Sequence, residues 1–154
     1  MRTLYAVLVV AVVAGCVSVT PVKLQSGDTC YRCHRTINDT KLAAEMLDRS
    51  DAIATSYPFR TAGCMAKYLK ANAPSKFTTI YVTDYRTGRM IQARSAWFVA
   101  TELISPDGKT VEQDYVAFGS RDTANKFRQD LPVLRLQDQP LRQWDQVLAE
   151  VVPD

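Results

Sequence analysis

The 154-residue sequence predicts an α+β fold in which antiparallel hairpins pack with helices, as two ββα-type units in one domain. Three observations predict it. Residues 77–83, Phe-Thr-Thr-Ile-Tyr-Val-Thr, are dense in β-branched and aromatic side chains. They return as residues 90–93 across the turn Asp84-Tyr85-Arg86-Thr87-Gly88. Segments with helical spacing follow hairpin segments twice along the chain, at 61–71 and at 121–129.

The elements run in order from residue 30. Residues 30–39 are compact and hold Cys30, Cys33 and His34. Residues 41–48 favour helix through Ala43, Ala44, Glu45, Met46 and Leu47. The segment is short, however, and Asp48-Arg49-Ser50-Asp51 can turn it back into a strand at 52–57. On the residues alone both assignments stand. Residues 61–71 place Met65, Tyr68 and Leu69 at helical spacing, with Pro74 beyond the end. After the 77–93 hairpin, residues 97–103 form a further strand. It closes on Ser105-Pro106-Asp107-Gly108, where proline presets one dihedral and glycine accepts positive φ. A strand at 115–118 follows. Ser120 then caps a helix over 121–129, with Asp122 near its start and Ala124 and Phe127 on one face. Residues 132–136 read as one more strand. Residues 137–154 are expected to hold a C-terminal helix, since Leu141, Trp144, Val147, Leu148 and Val151 share one face over 140–151.

The first residues have a different character. Arg2 precedes an apolar run, Leu4 to Ala14, too short for the roughly 20 residues that a membrane-spanning helix needs. It fits the apolar region of a signal peptide. Val13-Ala14-Gly15-Cys16 resembles the lipobox of bacterial lipoproteins, in which the cysteine is acylated and becomes the new N-terminus. The alternative is an ordinary signal peptide that contains a cysteine. The expected organisation is signal peptide 1–15, lipid-bearing tether 16–28, α+β domain 29–136 and C-terminal helix 137–154. The protein would then sit in the bacterial cell envelope, lipid-anchored at Cys16 and facing the periplasm or the cell exterior. No later segment is apolar and long enough to span a membrane. The net charge of +3 comes without basic runs interleaved with aromatics, so nucleic-acid binding has no support. A monomer is expected.

From Cys30 to Phe127 the chain resembles the NosL-type copper-binding lipoproteins, accessory factors for nitrous oxide reductase. The resemblance rests on the lipobox, on Cys30-x-x-Cys33, and on the stretch from Phe59-Arg60-Thr61-Ala62-Gly63-Cys64 through Tyr68-Leu69. It continues in Ile80-Tyr81-Val82-Thr83-Asp84-Tyr85, Ile91-Gln92-Ala93-Arg94, Ala96-Trp97-Phe98-Val99 and Val116-Ala117-Phe118-Gly119. It implies two ββα-type units and makes 41–48 a strand. It also implies a Cu(I) cargo delivered to a cuproprotein such as nitrous oxide reductase, with no catalysis. Two features depart from the family. His34-Arg35 stands where Gly-Met usually follows the cysteine pair, and Ser105-Pro106-Asp107-Gly108 lacks the methionine of a Pro-Met-Gly stretch.

If Cys16 carries lipid, three cysteines remain, an odd number that cannot pair fully within one chain. The cluster then fits three chemistries. Cys30 and Cys33 would hold Cu(I) as soft thiolates, with His34 or Met65 as a third ligand. The cysteines could instead form a structural disulfide, within the pair or with Cys64. Third, Cys30-x-x-Cys33-His34 matches the attachment pattern of c-type haem, with Met46, Met65 or Met90 as the second axial ligand. Cys64-Met65 offers a further thiol and thioether, or simply core packing. Met46 and Met90 are expected in packing roles. Hydrolysis lacks a base with an orienting partner, and the thioredoxin-type βαβ pattern is absent, so no enzyme is expected.

Overall fold

The computed structural model describes residues 20–104 and 111–152. Cys16, the lipobox expected to end at it and the turn expected at 105–108 lie outside the described residues. The elements are β1 (Ala44–Asp48), β2 (Thr55–Phe59), α1 (Ala62–Ala71), β3 (Thr78–Thr83), β4 (Met90–Gln92), β5 (Trp97–Ile104), β6 (Val111–Phe118), α2 (Arg121–Gln129), α3 (Leu134–Gln137) and α4 (Trp144–Glu150). The fold is α+β. One antiparallel sheet has the order β2-β1-β3-β4, and β5-β6 form a second. No helix among the described residues is long and apolar enough to cross a membrane.

The segment that favours helix by propensity is the central strand β1. It pairs with β2 on one edge and with β3 on the other, in registers that set Met46 opposite both Tyr57 and Ile80. Ladder bonds on both sides and nearly complete burial override a propensity difference of a few tenths of a kcal/mol per residue. Glu45, fully buried in β1, accepts from Ser56 Oγ at 2.5 Å and from Val22 N at 3.0 and 3.1 Å. The chain expected as a tether is therefore already bonded to the sheet at Val22. β2 contains Pro58, which lacks a ladder donor, and β2 lies accordingly at the sheet edge.

The 78–92 hairpin forms as predicted. Asp84 accepts from Arg86 N and Thr87 Oγ1, and Gly88 takes φ +68° to close the turn. α1 starts behind Thr61, whose Oγ1 accepts from Cys64 N at 3.1 Å, and α2 behind Ser120, which caps Thr123 N.

Four segments differ from expectation, the first being the strand expected at 115–118, which begins at Val111. The second strand begins at Thr55 rather than at 52 and runs to Phe59. Residues 132–136 do not form a strand and take no place beside β5. β6 pairs along one edge, and on the other the Phe98 and Arg142 backbones exchange bonds at 2.9 and 3.0 Å. The chain folds there into the short helix α3 instead. That same bridge keeps residues 140–143 extended, so the terminal helix starts at Trp144, with Gln143 and Gln146 closing a capping box.

One core joins the two sheets. Phe59, Met65, Val82, Phe98, Tyr115 and Trp144 pack in a single cluster beneath α1 and α4. α2 covers a smaller cluster around Val99, Val116 and Phe118.

Candidate metal centre

The site begins with a loop hung on the β2 edge. Thr29 and Thr36 form an isolated bridge, Cys30 N donates to Arg35 O at 2.9 Å, and His34 N donates to Cys30 O at 2.9 Å. Closing so tight a loop puts His34 at φ +55°, a left-handed conformation in which histidine is enriched among non-glycine residues. Tyr31 N donates to Pro58 O at 2.7 Å, and the Tyr31 ring meets Tyr57 and Tyr68 edge-on, 4.7 and 5.5 Å between centroids. The loop is thus pinned to β2 and α1 together. Its two cysteines turn toward the first turn of α1, where Cys64 waits.

The result is a triad of sulfurs. Cys30, Cys33 and Cys64 are free thiols whose Sγ atoms all lie within 4.8 Å of one another. Cys30 Sγ is 3.5 Å from Cys64 Sγ, and Arg32 Nη1 is 3.7 Å from Cys64 Sγ. Cys30 is fully buried and Cys64 nearly so, while Cys33 is partly exposed. Their close contact moves the pKa values of the two buried thiols, Cys30 and Cys64, in opposite directions. The Cys64 thiol donating to it holds Cys30 well below the usual thiol range, helped by the backbone amides of Cys33 and Arg60, although burial opposes this. Cys64 is pushed up, first by that same bond and then by burial. The contact favours the thiolate form at Cys30, and thiolate is the form that binds metal.

A second layer sets Cys64 in place. Asp114 on β6 is buried and accepts from Gly63 N at 2.9 Å and Tyr115 N at 2.7 Å, both through Oδ1. A carboxylate at a helix N-terminus meets the positive end of its dipole. The approach is possible only because residue 63 is glycine, since a Cβ there would lie 2.6 Å from Asp114 Oδ1. Burial nonetheless raises the Asp114 pKa, outweighing the bonds from Thr61, Tyr115 and Gly63. Neither Gly63 nor Asp114 was singled out from the sequence. The one visible signal was a glycine in a first helical turn, where it costs about 1 kcal/mol relative to alanine.

The remaining expected site residues fall elsewhere. His34 is exposed and lies outside the 4.8 Å set. Met65, the neighbour of Cys64, is fully buried in the core. Met46 is buried in β1, and Met90 sits on β4 at the sheet edge opposite the cysteine loop, accepting from Thr83 Oγ1. Haem attachment does not suit this geometry. Cys30 has no exposed surface for a macrocycle to reach, and the cavity beside the triad, about 150 Å³, is lined mainly by charged residues rather than an apolar wrap.

Known proteins agree with this architecture. Among curated proteins none matches the sequence significantly. The fold is similar to the crystal structure of the copper chaperone NosL from Shewanella denitrificans, with a TM-score of 0.57 and 17% identity. That match covers 82% of this chain and 96% of the other. The NosL family matches residues 21–132, which is most of the chain and includes all three cysteines of the triad. The chain belongs to the NosL family.

Proposed function

We propose that this protein carries one Cu(I) ion on Cys30, Cys33 and Cys64 and hands it to a cuproprotein such as nitrous oxide reductase. The observation that carries this reading is the meeting of three sulfurs from two separate elements in a member of a family whose solved relative is a copper chaperone. Thiolates are soft ligands and favour Cu(I), for which two or three sulfurs suffice. A structural zinc site wants four ligands, and among the described residues no fourth His, Cys, Asp or Glu joins the set. In this reading Cys64, rather than His34 or Met65, is the third ligand beside Cys30 and Cys33. It also offsets the two methionines of the family pattern that this sequence lacks. Cys30 and Cys64 would form the buried floor and Cys33 the accessible arm, an arrangement suited to carriage rather than to catalysis.

The test is a competition titration against a Cu(I) chelator under reducing conditions. One tightly bound Cu(I) per chain is expected, and none after the thiols are alkylated. Binding that survives alkylation, or a preference for Zn²⁺ over Cu(I), would refute the carrier.

The lipid anchor belongs to the same proposal. Cys16, acylated after cleavage of residues 1–15, would hold the domain at the envelope, since several acyl chains on one residue give stable attachment. Cys16→Ser is expected to leave the protein uncleaved or soluble. A native chain without acyl mass at Cys16 would end this part of the account.

A further inference from the structure

The cavity of about 150 Å³ beside Cys33 and Cys64 has an unusual wall. Arg32, Arg35, Arg60 and Lys67 line it against two carboxylates, Glu112 and Asp114. Four cationic side chains thus gather at one small cavity, in a chain whose net charge is only +3. The carboxylates are both engaged. Asp114 is buried against the start of α1, and Glu112 lies 4.0 Å from Arg60. The only partly exposed sulfur of the triad, Cys33, lines this cavity.

We propose that copper leaves through this cavity, and that the acceptor is a protein segment whose metal-binding sulfur is flanked by carboxylates. The inference rests on the Cu(I)-carrier reading and names the chemistry of the partner. Three thiolates and one Cu(I) carry a net charge of −2, which would repel an acidic ligand. The cationic wall offsets that charge, and exposed Arg35 at the cavity offers an incoming carboxylate a partner where a lysine-flanked sulfur would meet like charge. The step is ligand exchange. The incoming cysteine, its proton passed to solvent, donates an electron pair to Cu(I) as the Cys33–copper bond breaks. The Cys30 and Cys64 bonds break in turn as further ligands of the acceptor replace them. Each released sulfur keeps its electron pair and takes a proton from solvent, and copper remains Cu(I) throughout.

Two measurements test this, one of them independent of metal. In the metal-free reduced protein, Cys33 is alkylated with iodoacetate and with iodoacetamide, reagents differing in charge, and the modified peptide is followed by mass spectrometry. The iodoacetate-to-iodoacetamide rate ratio is expected to exceed that of a free cysteine peptide by about threefold or more at low ionic strength. It should approach the free-peptide ratio at about 1 M salt, where the Debye length is about 3 Å, and in folded Arg35→Glu and Lys67→Glu variants. In the Cu(I)-loaded protein, transfer is timed to a short peptide with one cysteine flanked by glutamates, and to counterparts flanked by serines or lysines. The glutamate peptide is expected to be fastest, by about tenfold over the lysine peptide at low salt. An alkylation ratio equal to the free peptide's, or equal transfer to glutamate and lysine peptides, would overturn the proposal. If the protein holds no Cu(I), the carrier reading fails by itself, and the alkylation ratio alone decides whether the cavity selects anions.

Discussion

Replacing Cys64 by serine is expected to weaken Cu(I) binding by about a hundredfold or more. Groups that merely orient metal ligands are commonly worth tenfold to a hundredfold in affinity, so a direct ligand should reach or exceed the upper figure. The same loss is expected for Cys30→Ser and Cys33→Ser, because all three Sγ atoms lie within 4.8 Å of one another. His34→Ala should leave affinity nearly unchanged, since His34 is exposed and outside that set. Chelator competition on reduced protein reads all four variants. Urea unfolding of each separates lost ligation from lost structure, which matters most for buried Cys30. A Cys64→Ser protein that binds Cu(I) as wild type does would remove α1 from the site, whereas loss in His34→Ala would restore the sequence-based ligand.

Gly63→Ala is expected to destabilise the fold by about 2–4 kcal/mol. The added Cβ would sit 2.6 Å from Asp114 Oδ1 and 3.0 Å from its Cγ. Overpacking of that kind costs about 1–3 kcal/mol, and weakening the buried hydrogen bond adds about 1 kcal/mol. Because the bond joins β6 to the turn that bears Cys64, copper affinity should fall with stability. Denaturant midpoints measure the effect, and a Gly63→Ala midpoint equal to wild type would contradict the packing described here.

Asp114 adds a pH signature with a definite sign. Burial raises its folded pKa above the ordinary value of 3.8, so over the window above 3.8 the folded state keeps a proton that the unfolded state has lost. Stability from this group is therefore greatest at low pH and declines as pH rises through its folded pKa. Glu45, raised by burial as well, acts in the same sense. Asp114→Asn is expected to flatten that decline, and an unchanged slope would show that Asp114 is not the titrating group.

Local chemistry made much of this fold legible. The β-branched run of β3 and its Gly88 turn, and the Ser120 cap of α2, are decided within a few residues of themselves. The strand β1 is not, because its Ala-Glu-Met-Leu composition points to helix and only two flanking strands overrule it. Residues 140–143 show the same limit. Their apolar spacing continues a helix, but Arg142 meets the edge of Phe98, and no periodicity encodes that meeting. The site was half visible for a similar reason. Cys30 and Cys33 announce themselves by spacing, whereas Cys64 arrives from 34 residues away and depends on a carboxylate 51 residues beyond Gly63.

X-ray absorption at the copper edge of the reduced, Cu(I)-loaded protein tests the central claim most directly. Three sulfur scatterers in one shell, with no nitrogen, are the predicted result, and Cys64→Ser should lose one of them. A shell containing an imidazole nitrogen, or two sulfurs unaffected by Cys64→Ser, would contradict a copper site built from Cys30, Cys33 and Cys64.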